Sequence, residues 1–162
     1  MEIRFDASDF VETVEIDFKD GAGPVPAHQH IKGGGWVADT AHVDEECYIG
    51  PFALVYGEAR VTDKAIVNDY ARVYGNAQIY GKAKVYGDCQ VYENAQIYGD
   101  ARVSGHCKVY GKAKVMDNAM VYDTAEVYGD AIVRNNAEIL NCAKVCGGAD
   151  IYDSLKIGRA HV

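Results

Sequence analysis

The chain has 162 residues, a length that suits a single domain, and five cysteines. Its formal net charge of −8 argues against direct binding of nucleic acid. No apolar run approaches the ~18 residues of a membrane-spanning helix, and the first residues lack the apolar core of a signal peptide. The odd cysteine count indicates free thiols, so we expect a cytoplasmic protein with no membrane partner.

The segment 1–34 differs in pattern from the rest of the chain. Residues 1–20 alternate apolar and polar side chains, which predicts one or two β-strands. Residues 21–34 contain Pro24, Pro26 and a glycine cluster, which predicts an irregular linker. His28 and His30 are close in this linker, but zinc requires at least three protein ligands, so no metal site is predicted.

From Gly35 to Ala160 the sequence divides into 21 hexads without insertion or deletion. Position 3 of the hexad is Val or Ile in all 21, and position 1 is Ala in 16. On a strand these two side chains point to the same side, whereas the mostly polar position 2 points to the other. Position 5 is mainly Gly, Asp or Asn, which tolerate a sharp corner. Each hexad therefore predicts a short strand followed by a bend.

Three such hexads close into a triangle and make one coil, so the array of 21 hexads forms seven coils. Neighbouring coils pair as parallel strands about 4.8 Å apart. The predicted fold is all-β, a parallel β-helix shaped as a triangular prism over residues 35–162. The open end of such a prism exposes backbone and interior, so residues 1–34 are interpreted as an N-terminal β cap and linker. The alternative is a strand arm that pairs with another subunit.

The hexads resemble the hexapeptide-repeat family, in which an aliphatic residue is followed four places later by a small one, as Val73 is by Ala77. The resemblance covers 126 of the 162 residues and implies that the β-helix is left-handed. The residue after the aliphatic one is commonly Tyr here, whereas that family often has Gly, Ala, Asp or Glu. Such Val-Tyr-Gly-x-Ala arrays, entered through Gly-Gly-Trp-Val, are similar to repeat proteins of bacteria and their phages, some of which carry a transferase label inherited from the fold.

Tyrosine occupies position 4 in ten hexads. Five of these follow one another at intervals of three hexads, and we predict that their rings form a ladder: Tyr56, Tyr74, Tyr92, Tyr110 and Tyr128. One interpretation is a stack that stabilises a corner of the prism. A second is a binding surface for another subunit or a protein partner, because Tyr is enriched at interfaces. A groove for a carbohydrate is the third. Trp36 and Phe52 lie at outward or corner positions of the first hexads, which indicates a surface covered by the cap or by a partner.

His106 occupies position 6 of its hexad. The family resemblance implies an acyltransferase, usually trimeric, that uses acetyl-coenzyme A and a histidine general base; His106 is then the catalytic candidate. However, an uninterrupted repeat has little irregularity from which to build a pocket. We therefore predict a non-enzymatic rigid scaffold or protein-interaction module that forms a dimer or trimer and needs no cofactor. The acyltransferase is the alternative, and an acidic decoy that blocks a nucleic-acid-binding partner is the second alternative.

Overall fold

A computed structural model describes residues 12–159 and 161–162. These residues form 23 β-strands in three sheets and no helix. Sheet 1 consists, in spatial order, of β1 (Val14–Asp17), β2 (Pro24–Gln29), β3 (Trp36–Ala38), β6 (Leu54–Val55), β9 (Arg72–Val73), β12 (Gln90–Val91), β15 (Lys108–Val109), β18 (Glu126–Val127) and β21 (Lys144–Val145). Sheet 2 consists of β4 (His42–Val43), β7 (Arg60–Val61), β10 (Gln78–Ile79), β13 (Gln96–Ile97), β16 (Lys114–Val115), β19 (Ile132–Val133) and β22 (Asp150–Ile151). Sheet 3 consists of β5 (Tyr48–Ile49), β8 (Ile66–Val67), β11 (Lys84–Val85), β14 (Arg102–Val103), β17 (Met120–Val121), β20 (Glu138–Ile139) and β23 (Lys156–Ile157).

From β3 onward, successive strands belong to sheets 1, 2 and 3 in turn, so the chain completes one coil every three hexads. Each strand pairs in parallel with the strand one coil later; Val55 pairs with Val73, and Val73 with Val91. The three sheets form the sides of a triangular prism. This confirms the predicted all-β parallel solenoid of about seven coils, while its left-handed sense stays a prediction.

The interior of the prism contains only hexad positions 1 and 3. Every residue at these positions from Ala53 to Val145 has 0% exposure. Three cysteines share position 1 with the alanines and are buried free thiols: Cys47, Cys89 and Cys107. Because a buried Val or Ile contributes roughly 1.5–3 kcal/mol, this column is the main source of stability. The described residues contain no helix of the length and apolar character that crossing a bilayer requires.

Position 5 forms the corners and adopts the left-handed backbone conformation from Gly57 to Asp153. Gly87 has φ 77°, and a Cβ on it would lie 2.5 Å from the carbonyl oxygen of Gly105 in the next coil. Aspartate also adopts this conformation with little strain, as Asp123 does at φ 62°. The Asp123 carboxylate accepts a hydrogen bond, 2.9 Å long, from the backbone N–H of Asn141 one coil later. The same bond recurs from Asp63, Asp69, Glu93 and Asp117.

The N-terminal segment contains an antiparallel hairpin of β1 and β2, and β2 continues antiparallel onto β3. Strand β2 lies within residues 21–34, so the prediction of an irregular linker there is wrong. The two prolines are compatible with pairing because the carbonyl of Pro26 accepts from the N–H of Asp39 and therefore points away from β1. The missing N–H groups of both prolines thus cost no bond to β1. Residues 1–11 of the predicted cap lie outside the described residues.

The loop after β2 covers a second side of the first coil. The N–H of Ile49 donates to the carbonyl of Lys32, and the N–H of Gly35 donates to the carbonyl of Ile49, each at 2.9 Å. His30 is only 6% exposed, and its Nε2 lies 3.1 Å from the carbonyl oxygen of Asp44. The segment 12–34 therefore pairs with β3 of sheet 1 and with β5 of sheet 3.

The corner carboxylates provide a test of the packing between coils. Asp123→Ala removes the carboxylate that accepts from the N–H of Asn141, and it places at φ 62° a residue that tolerates positive φ less well than aspartate. We therefore expect the free energy of unfolding to fall by about 1–2 kcal/mol. Asp123→Asn keeps both properties and should cost less. Asp130→Ala, at exposed position 6, serves as the control and should change stability by less than about 0.5 kcal/mol. Urea denaturation measures all three, and equal losses for Asp123→Ala and Asp130→Ala would contradict the corner bond.

Candidate functional site

Three edges join the sheets, and each carries hexad positions 4 to 6. Edge 1–2 follows the strands of sheet 1 and includes residues 74–76. Edge 2–3 follows sheet 2 and includes residues 80–82, and edge 3–1 follows sheet 3 and includes residues 86–88. Most candidate residues lie on two of these edges. The five tyrosines of the ladder lie where edge 1–2 follows the strands of sheet 1, and Phe52 and His106 lie on edge 3–1. Trp36 lies on strand β3.

The five predicted tyrosines form a continuous ladder. Successive ring centroids lie 4.9, 5.0, 4.9 and 5.0 Å apart, with interplanar angles of 2–5°. Such parallel stacking follows from the constant register between coils, because position 4 of one coil stands over position 4 of the next. Each stacked pair adds about 0.5–1.5 kcal/mol beyond the area it buries. The ladder confirmed by this geometry therefore stiffens edge 1–2.

The N-terminal hairpin supplies a sixth ring to the ladder. The first coil has Ala38 at position 4, which leaves no ring above Tyr56. Phe18, in the turn after β1, fills this place: its ring stacks on Tyr56 at 4.8 Å between centroids and 13° between planes. Phe18 is 2% and Tyr56 4% exposed. The hairpin thus ends the ladder with a buried apolar contact.

This arrangement decides which parts of the ladder a ligand can reach. Both faces of Tyr74, Tyr92 and Tyr110 are covered by neighbouring rings, so a sugar or base has no face to stack on. Tyr56 is buried and lies out of reach of any partner. The Tyr74 hydroxyl donates to Oε1 of Gln90 at 3.4 Å, and the Tyr110 hydroxyl donates to Oε2 of Glu126 at 3.5 Å. Protein binding by the four half-buried tyrosines stays a prediction.

Burial changes the acidity of the ladder. It raises the pKa of Tyr56 to about 12 and that of Tyr92 to about 12, because a phenolate inside the stack loses hydration. At the other end, the neighbouring Cys146 thiol raises the pKa of Tyr128 to about 12. The Cys146 sulfur lies 3.2 Å from Nε2 of His161. The ladder is therefore a column of neutral phenols at physiological pH.

The other two predicted aromatics differ in exposure. Trp36 is half-buried and packs with the cluster of Phe18, Ala27, Ala38 and Tyr56 under the hairpin. Phe52 is 60% exposed on edge 3–1 and stacks on Tyr70, which is 61% exposed, at 5.2 Å between centroids. Tyr70 was missed by sequence reasoning, although its spacing of three hexads from Phe52 was a usable signal. We name this stacked pair the aromatic edge.

His106 lies further along edge 3–1 and is exposed. Its Nδ1 is 3.6 Å from Oδ2 of Asp88, one coil earlier, which is too long for a hydrogen bond. Its neighbour Cys107 points into the core and has 0% exposure. Two cavities of about 610 and 560 Å³ lie along edge 2–3, away from His106. Among the described residues, no group of three or more His, Cys, Asp or Glu could hold a metal ion.

Removing one ring should separate the structural contribution of the ladder from ordinary tyrosine burial. Tyr92→Ser deletes two stacked contacts, and we expect the free energy of unfolding to fall by about 2–3 kcal/mol. Tyr92→Phe keeps the ring and most of the stability. Tyr86→Ser is the matched control, since Tyr86 occupies the same hexad position between Asn68 and Ser104. Thermal and urea unfolding would contradict the stack if Tyr92→Ser and Tyr86→Ser lost equal stability.

The raised pKa values predict a loss of stability at high pH. An unfolded tyrosine has a pKa of about 10, whereas Tyr56 and Tyr92 have pKa values of about 12 in the fold. Their burial therefore contributes stability that is fully present below pH about 10 and is lost as pH rises through about 12. Absorbance titration should show Tyr56 and Tyr92 ionising only as the protein unfolds. Ionisation of Tyr56 and Tyr92 near pH 10 in a protein that is still folded would contradict this prediction.

Comparison with known proteins gives one similarity. The family described as YdcK β-solenoid repeat matches residues 77–93 and 95–111. Each matched segment is one residue short of a full coil, and the two segments lie in successive coils. No curated protein and no solved structure matches the chain. Over these two coils the chain is thus similar to a β-solenoid repeat, in agreement with its structure.

Proposed function

We propose that this chain is a non-enzymatic, rigid β-solenoid module that binds another protein through the aromatic edge. The observation that carries this proposal is the exposure of two stacked aromatic rings, Phe52 at 60% and Tyr70 at 61%, beside a core in which Val, Ile and Ala are buried in regular columns. Ile31, which is 83% exposed, belongs to the loop that pairs with the same hexad as Phe52. Exposed aromatic groups of this kind are typical of protein-binding sites.

The stacking of the aromatic edge favours binding at low entropic cost. Phe52 and Tyr70 contact each other with an interplanar angle of 17°, so each ring restricts the rotamers of the other before a partner arrives. Immobilising a flexible side chain at an interface costs about 0.5–1.5 kcal/mol, and ordered rings avoid part of this cost. The strands β5 and β8 beneath the rings are held by parallel pairing. The surface is therefore presented in one fixed geometry, as a scaffold requires.

A second candidate function is acyl transfer from acetyl-coenzyme A. The observation that favours it is the proximity of His106 to Asp88, with Nδ1 of the histidine 3.6 Å from Oδ2 of the aspartate, since a histidine beside a carboxylate is a common general-base arrangement. Nε2 of His106 would take the proton of an acceptor hydroxyl or amine. The two cavities, however, lie on edge 2–3, and His106 is exposed to solvent on edge 3–1. The geometry therefore supports the binding module better.

The aromatic edge can be tested with a matched pair of variants. Phe52→Ser with Tyr70→Ser should weaken binding of the partner at least about tenfold, since a hot-spot residue contributes about 2 kcal/mol. Tyr80→Ser with Tyr98→Ser is the control, because it removes a stacked pair, 4.7 Å between centroids, from another edge. Proteins captured from cell extract by the unmodified chain are identified, purified and titrated against all three forms.

Equal binding by the unmodified chain and the Phe52/Tyr70 variant would contradict the proposal. So would saturable binding of acetyl-coenzyme A in calorimetry together with acetyl transfer that His106→Ala abolishes, and this result would favour the second candidate. Circular dichroism of each variant verifies that the fold is intact. Binding that the aromatic-edge variant alone loses would support the module.

A further inference from the structure

Charge is distributed in bands along the prism rather than evenly. Residues 12–58 carry nine acids and two bases, a net of −7. Residues 59–115 carry nine bases and five acids, a net of +4, and residues 116–162 carry a net of −3. A protein of net charge −8 thus has a basic middle next to its most acidic end. Solubility alone does not require such a separation of charge.

The two bands meet on edge 2–3 with little distance between them. The first coil carries Asp44, Glu45 and Glu46 on this edge. The second and third coils carry Lys64 and Lys82 at the same hexad position as Glu46, and Lys84 follows Lys82 on the next strand. A cavity of about 610 Å³ runs along the edge and is lined by the three acids and by Lys64 and Lys82, and Lys84 lies on the strand that follows. Acids and bases therefore line one continuous concave surface.

Contacts within the chain neutralise only part of these charges. Lys32 binds Glu46 at 3.0 Å, and Asp44 binds His42 at 3.0 Å and the backbone N–H of Asp63 at 3.0 Å. Glu45 is exposed and free to bind a partner. On the basic side, none of the ion pairs among the described residues includes Lys64, Lys82 or Lys84, whereas Lys144 and Lys156 further along the chain each pair with a glutamate. The lysines of edge 2–3 are thus available to an anionic surface.

We propose that edge 2–3 is a self-association surface, and that its partner is a second copy of this chain in antiparallel orientation. A two-fold axis perpendicular to the prism and passing near the second coil would place the first coil of one copy against the third coil of the other. Glu45 and Glu46 of each copy then meet Lys82 and Lys84 of its partner, twice in the dimer. Such an isologous contact closes on itself and stops at two subunits.

The dimensions of the solenoid agree with this pairing. Neighbouring coils are about 4.8 Å apart, so an axis at the level of the second coil lies about 5 Å from the first coil and about 5 Å from the third. Rotation about this axis therefore places the first coil of one copy at the level of the third coil of the other. The residues beside the axis have apolar area to bury: Tyr48 is 39% exposed and Ile66 is half-buried on the adjoining strands β5 and β8. Ile66 pairs with Tyr48 in one direction and with Lys84 in the other, so it lies midway between the two charged clusters.

This inference goes beyond the proposed binding module and does not depend on it. The aromatic edge lies on edge 3–1, whereas the charged clusters lie on edge 2–3, so a dimer leaves the aromatic pair accessible. Edge 1–2 provides a control for the charge argument. Lys112 and Lys114 have the same two hexad positions as Lys82 and Lys84, but they lie on that edge in the fifth coil.

The experiment is sedimentation equilibrium of the full chain and three charge variants between about 0.05 and 0.5 M salt, a range over which the Debye length falls severalfold. The unmodified chain should be a dimer that dissociates more readily as salt rises. Lys82→Glu with Lys84→Glu should weaken dimerisation at least about tenfold, and so should Glu45→Lys with Glu46→Lys, because each reverses attractions that occur twice. Lys112→Glu with Lys114→Glu should dimerise like the unmodified chain.

Mixing the two edge 2–3 variants gives the decisive result. Each is self-repulsive, but an acidic copy and a basic copy are complementary at both halves of the two-fold contact, so an equimolar mixture should recover a dimer of mixed composition. A monomeric unmodified chain, a trimer, an open-ended series of oligomers, or a mixture that stays monomeric while both variants are folded would each overturn the proposal. A loss of dimer in the Lys112/Lys114 control equal to that in the Lys82/Lys84 variant would overturn it as well.

Discussion

Parallel hydrogen bonding between residues three hexads apart is the constraint on which this structure depends. Position 2 of each hexad donates to position 1 of the next coil and position 4 donates to position 3, as Gln78 does to Ala95 and Tyr80 to Ile97. Because every coil has the same length, each side chain stands over the residue at the same hexad position one coil earlier. A single inserted residue would turn the buried Val and Ile column toward solvent. The unbroken period is therefore a packing requirement.

The same register turns each hexad position into a column with its own chemistry. At position 4 of sheet 1 the column is an aromatic stack. At position 5 it is most often glycine, with single carboxylates that accept from the N–H of the next corner. At position 6 of edge 3–1 it contains Phe52, Tyr70, Asp88 and His106. The interior is nearly invariant in composition, so the edges are where this chain differs from a plain repeat. Partner binding and self-association are accordingly proposed for edges, on surfaces that the core holds in place.

The fold could be predicted from the sequence because the hexad repeat determines which residues stack. Two positions of each hexad point inward, one forms a corner, and three hexads make one coil. The ladder followed from the same arithmetic. Phe18 was not predictable, because the N-terminal hairpin has no period that relates it to Tyr56. Strand β2 was missed because prolines indicate loops, and only its pairing on both sides shows where their missing N–H groups point. The exposure of Phe52 depends on which side chains surround its corner, which the repeat alone does not determine.

Native-state hydrogen exchange of individual amides tests the coil-to-coil register most directly. Gly75 and Gly81 share hexad position 5, but Gly75 stands over Gly57, which has no side chain, whereas the N–H of Gly81 donates to Asp63 at 2.8 Å. We expect the amides of Gln78 and Tyr80 to exchange slowest, Gly81 to be intermediate and Gly75 to exchange fast. Asp63→Ala should then make Gly81 exchange like Gly75. Equal exchange at Gly75 and Gly81 in the unmodified chain, or rapid exchange at Gln78 and Tyr80, would contradict the stacked register.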